Sequence, residues 1–81
     1  MKPCLISSDG YSESILKWKV ATTPDAVADI IADYYINILN APVMMKTIRI
    51  DDVRNKVTFI YKGCCDELEK GECSIIPVEI H

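Results

Sequence analysis

Histidine is almost missing from this chain: its one copy is the terminal His81. A chain end is a poor seat for a general base, so no serine or cysteine has an evident activating partner. Glycine is sparse too. Gly10, Gly63 and Gly71 are too scattered to form a phosphate-cradling loop. Positive charge is in deficit, with 9 Lys and Arg against 12 Asp and Glu and a net charge of −3. That balance argues against a dedicated nucleic-acid binder. No apolar run reaches membrane-spanning length, so no membrane association is expected. The first ten residues, MKPCLISSDG, carry one Lys and an early Pro but no long apolar stretch, and do not read as a secretory signal. A cytoplasmic, reducing setting is the expectation. A redox C-x-x-C is absent, and so are internal repeats and low-complexity tracts. Asp51-Asp52 reads as turn chemistry rather than a catalytic pair. No enzyme is expected, no catalytic residue is assigned, and no cofactor is called for.

What is present is a globular composition: 49% hydrophobic and 26% charged residues over 81 positions. The expectation is one small domain, 1–81. A chain of this mass exposes roughly 4,900 Å² when folded, and about 60% of its extended surface can be buried. If about 5,000 Å² of that is apolar, burial contributes about 125 kcal/mol. Ordering the chain costs about 120 kcal/mol. The near-cancellation makes a lone monomer marginal and favours a partner or a second copy.

Along the chain, Cys4–Ser7 reads as a short strand and Asp9-Gly10 as a two-residue hairpin turn. Tyr11–Ala21 would be the second strand, with Leu16, Trp18 and Val20 on one side and Ile15, Lys17 and Lys19 on the other. Thr23-Pro24-Asp25 then opens a helix with a capping hydroxyl, a Pro suited to the first turn and an acid at the positive dipole end. It should run to about Asn40, before Ala41-Pro42. Its apolar stripe is Val27, Ile30, Ile31, Tyr34 and Ile38. Asp25, Asp29, Asp33 and Asn37 form the opposite ridge, a solvated face by this reading.

Met45–Ile50 and Val57–Lys62 read as a β-hairpin in a register that pairs Asp51 with Lys56, Ile50 with Val57 and Ile48 with Phe59. Gly63–Gly71 is expected to be a loop. Cys73–Ile80 should be a final edge strand, since Pro77 lacks an amide donor, with Ile76, Val78 and Ile80 towards the core. The order β(β)αβββ predicts an α+β two-layer sandwich: one amphipathic helix on a four- or five-stranded, mostly antiparallel sheet.

One helix covers only one face of such a sheet. Trp18, Phe59 and Tyr61 should lie under it. The uncovered face is expected to carry Ile15, Lys17, Lys19, Arg49, Ile60, Lys62 and Ile75, a basic rim around three isoleucines, and these seven are the candidate partner-binding residues. The face lacks the stacking aromatics of sheet-based RNA binders, so nucleic acid ranks low as a partner. The leading expectation is a non-catalytic protein-interaction module, accessory or regulatory, that docks on another protein or pairs with a second copy as a homodimer. The first alternative rests on Cys4, Cys64, Cys65 and Cys73, as a metal-binding or redox-responsive protein. Their spacing is not that of a zinc site, free thiols are the expectation, and no metal ligand is assigned. The second alternative is weak nucleic-acid binding through Lys17, Lys19, Arg49 and Lys62.

Overall fold

The computed structural model describes residues 1–78. Its elements are β1 (Cys4–Ser7), a 3₁₀ turn (Ser12–Ser14), α1 (Pro24–Asn37), β2 (Val43–Asp51), β3 (Lys56–Lys62) and β4 (Leu68–Pro77). The four strands form one antiparallel sheet in the order β1-β4-β3-β2. β1 and β2, consecutive strands joined through α1, therefore lie at opposite edges. The helix crosses one face between them, and β4 slots in between β1 and β3. This is the α+β two-layer architecture expected from the sequence.

α1 begins where the sequence signals it. The Thr23 hydroxyl accepts the Ala26 amide at 3.1 Å, and Pro24 occupies the first turn. It ends at Asn37, three residues earlier than expected. The Ile38 amide still reaches the Tyr34 carbonyl, and Asn40 turns left-handed before Pro42. Val27, Ile30 and Ile31 are buried, whereas Ile38 is exposed. The helix meets a core of Cys4, Ile6, Leu16, Val57, Phe59, Cys73 and Ile75. Tyr35 stands edge-on to Phe59 at 5.0 Å and lies 5.2 Å from Tyr61.

Several expectations change. The Asp9-Gly10 segment is not a hairpin turn. Only Gly10 has positive φ, and the Ser7 hydroxyl organises the loop by accepting the Gly10 amide at 3.0 Å and donating to the Tyr11 carbonyl at 2.9 Å. The Tyr11–Ala21 strand is broken. Only Ile15 and Ala21 bridge β1, at Ser7↔Ile15 and Cys4↔Ala21, so six steps of this segment face three of β1. The three surplus residues bulge out with Lys17 and Trp18 left-handed. Ile15 and Leu16 are both buried, which strict alternation forbids, and Trp18 is 67% exposed rather than in the core.

The third change concerns β4. It starts at Leu68, five residues early, and it is interior rather than an edge. Its pairing of Val57 with Cys73 turns Cys73 and Ile75 towards the helix and Ile76 away from it, the reverse of the expected parity. Pro77 is tolerated because it sits at the strand's last position, opposite Cys4. Val78 lies past the strand end and is half-buried. The expectations for Glu79, Ile80 and His81 fall outside the described residues.

The β2–β3 register agrees with the sequence at Asp51↔Lys56 and Ile50↔Val57 and then shifts. Five steps of β2, Met44 to Arg49, face two of β3, so the expected Ile48↔Phe59 pair does not form. Thr47 repairs the gap. Its hydroxyl accepts the Ile60 amide at 2.8 Å and donates to the Met44 carbonyl at 2.6 Å.

Candidate interaction face

The side of the sheet turned away from α1 can be built pair by pair. Residues opposite one another in an antiparallel ladder share a face. Arg49, Thr58 and Glu72 make one row, Met44, Ile60 and Lys70 the next, and Lys62 with Leu68 the last. Between them a shallow hollow of about 410 Å³ is lined by Thr47, Thr58, Ile60, Lys70 and Glu72, over Phe59 and Gly71. Phe59 and Gly71 pair across the ladder and both turn to the helix side, so only their backbone floors the hollow.

The β1 end of the same face is closed. The loop after β1 folds across it, bringing Gly10 against Ser74. Ser7 and Ser74 are buried there, and Lys56 donates to the Ser74 hydroxyl at 2.9 Å. Asp9 fastens that loop by accepting the Tyr11 amide and the Ser14 hydroxyl at 3.0 and 2.8 Å. Those bonds, the Tyr11 amide first, hold its carboxyl below the ordinary range.

The seven candidate residues separate into three groups. Arg49, Ile60 and Lys62 lie together on the open face, as expected. Ile15 and Ile75 do not: they are buried, at 8% and 7% exposure, Ile15 beside β1 and Ile75 on the helix side. Lys17 and Lys19 are displaced to the helix layer by the bulge of their segment. They line a hollow with Asp29 and Asp33, and the Lys17 ammonium pairs with the Asp33 carboxylate. The acidic ridge is thus partly answered by the chain's own lysines, and Asn37 also donates to Asp33.

Met44, Leu68, Lys70 and Glu72 join the face without having been anticipated. Leu68-Glu69-Lys70-Gly71-Glu72 has no apolar alternation to mark it as a strand. Only the pairing with β3 places it. Among the described residues, the ion pairs of this face and its rim are Lys56 with Glu72 and Arg54 with Asp51. Lys62 and Lys70 have no carboxylate partner there. Arg49 folds its guanidinium back onto the carbonyls of Lys46 and Ile48, at 3.0 and 3.1 Å.

The cysteines divide by burial. Cys4 and Cys73 are buried, Cys64 and Cys65 are exposed, and all four are free. Burial pushes the Cys73 thiol up to about 11. It also raises Cys4, with the charge of Asp52 adding to the effect. Both stay protonated at neutral pH and act as small apolar core residues. No group of three or more His, Cys, Asp or Glu suited to a metal occurs among the described residues. No described helix is long and apolar enough to cross a membrane.

Comparison with protein families, with curated proteins and with solved structures found no match to this chain.

Proposed function

We propose that the protein is a small, non-catalytic interaction module, and that its open β2–β3–β4 face docks a segment of another protein in which carboxylates flank an apolar side chain. The observation that carries this reading is the arrangement of Lys62, Lys70 and Arg49 around Met44, Ile60 and Leu68 on one uncovered surface. An apolar strip rimmed by cations selects its complement: the apolar group packs on Met44, Ile60 and Leu68 and the carboxylates meet the lysines. The chain as a whole is acidic, so this face is a local reversal of charge that would orient an approaching partner.

A homodimer through the same face would set these cations against their own copies, which is why a different chain is the proposed occupant. Nucleic acid offers negative charge, but this face presents no aromatic ring on which its bases would stack, since Phe59 and Tyr61 lie on the helix side. A cytoplasmic location and an accessory or regulatory role are part of the proposal, and four free thiols accord with a reducing compartment.

Selection of a randomised peptide library on the immobilised protein tests the reading. The expected winners carry Asp or Glu around Leu, Ile or Phe. Their binding should shift the amide resonances of Ile60 and Leu68. Lys62→Glu/Lys70→Glu should weaken it about tenfold or more. Recovery of basic peptides, binding indifferent to the double variant, or concentration-dependent dimerisation blocked by Ile60→Glu would overturn it.

A further inference from the structure

We propose that Cys64 and Cys65 form a vicinal dithiol site for thiol–disulfide exchange, closing reversibly into a disulfide between neighbouring residues when a low-molecular-weight disulfide is present. The proposal is independent of the docking face. It rests on the geometry of the β3–β4 loop, Gly63–Glu67.

The two sulfurs lie 3.8 Å apart, and both residues are exposed. Adjacent side chains on extended or helical backbone point apart, so this proximity is a product of the tight loop. The loop is fastened at both ends. The Gly63 amide donates to the Glu67 carbonyl at 2.8 Å, the Asp66 amide donates to the Gly63 carbonyl at 3.1 Å, and Asp66 is left-handed. The Lys62 amide ties the end of β3 to the Pro42 carbonyl at 2.8 Å. The pair is therefore presented to solvent at the tip of a paired ribbon. Cys4 and Cys73, by contrast, are shielded in the core with burial opposing their ionisation. One chain thus holds two inert thiols and two accessible, touching ones.

The chemistry balances with a disulfide R–S–S–R as oxidant. One thiol of the pair loses its proton to water. Its thiolate attacks one sulfur of R–S–S–R, forming a mixed disulfide and expelling RS⁻, which takes up a proton. The neighbouring thiol ionises in turn and attacks the protein-side sulfur. It forms the Cys64–Cys65 bond and releases the second RSH. The two protein thiols lose two electrons, and R–S–S–R is reduced to two RSH. Proximity favours the second step over a lasting mixed disulfide, because the resolving sulfur is already in contact. Closure would also alter a wall of the hollow formed by Leu39, Asn40, Pro42, Cys64 and Asp66, so the oxidation state is written into the surface at the helix end.

The test treats the folded protein with glutathione disulfide and measures intact mass and peptide fragments. The expected product is lighter by about 2 Da, carries no retained glutathione, has its link within the 64–65 peptide and is reversed by dithiothreitol. Cys64→Ser and Cys65→Ser should each instead accumulate one glutathione adduct on the remaining thiol. Both positions are exposed, so the variants should keep the parent circular dichroism spectrum. Separate adducts on both thiols of the parent, a link involving Cys4 or Cys73, or an unmodified pair under conditions where the single variants react would each overturn the proposal.

Discussion

Gly71 lies directly beneath the ring of Phe59. A Cβ at this position would stand 2.3 Å from one ring carbon and 2.6 Å from the next. The ring has nowhere to go, because Phe59 is buried and Tyr35 stands against it. Gly71→Ala should therefore cost about 1–3 kcal/mol, read from the urea midpoint at unchanged slope. Cys73 sits in the same core. Its thiol is raised from an ordinary 9.0 to about 11, so the folded state holds the proton more tightly than the unfolded chain. The associated stability is complete below about pH 9 and is lost as the pH climbs towards 11, by on the order of 2 kcal/mol. Tyr35, pushed up to about 12 by burial and by the neighbouring thiol, extends the decline. Melting temperature against pH should fall more shallowly across this interval in Cys73→Ala, from a lower starting value. Trp18 reverses its sequence-based role. Its native emission should be red-shifted and freely quenched by iodide, and Trp18→Ala should change stability by less than about 0.5 kcal/mol.

Elements differ in how much of them could be read from sequence. The helix was legible because a cap, a proline and a 3.6-residue stripe coincide at Thr23–Ile31. The β2–β3 turn was legible because a charge pair and an apolar pair demanded one register. β4 was not. Ile75 and Ile76 are adjacent, so either parity offers an isoleucine to the core, and the pairing Val57↔Cys73 decides between them. The misplacement of Ile75 in the candidate site follows directly from that ambiguity. Lys17 and Lys19 were misplaced for a different reason: their alternation is that of a strand, but β1 is too short to pair with all of it.

The same mismatch recurs on the other side of the sheet. At each edge a segment carries three residues more than the strand it pairs with. Bulges of this kind spoil an edge as a template for further strands, so association by strand addition is opposed at both sides. At β2 the bulge depends on one hydroxyl. Thr47→Val should cost about 1–2 kcal/mol by leaving the Ile60 amide unpaired, whereas Thr47→Ser should retain most of the stability in thermal melts.

Over the whole molecule, local and distant pairings are separated. β2, β3 and β4 join through short turns, while β1 meets β4 only after most of the chain has been traversed. Ordering so long a loop comes late, so the β2–β3–β4 meander should form first and β1 should dock after the main barrier. Ile6→Val, in the middle of β1 and fully buried, should remove about 1 kcal/mol. A chevron should show that loss mainly as faster unfolding, with the refolding arm little changed.

The seam between β1 and β4 also has a mechanical character. Cys4 stands opposite Pro77, and the Val78 amide donates to the Pro3 carbonyl at 3.0 Å, so positions 3 and 78 lie side by side at one end of the same antiparallel ladder. Tension applied between them loads the first hydrogen bond alone, then the next, peeling the strands apart like a zipper instead of shearing the ladder at once. β1 would leave carrying Cys4 and Ile6, and the core beneath the helix would open to water. A molecular motor dragging on those two positions would therefore load this seam bond by bond, at a force set by single hydrogen bonds rather than by the stability of the whole fold.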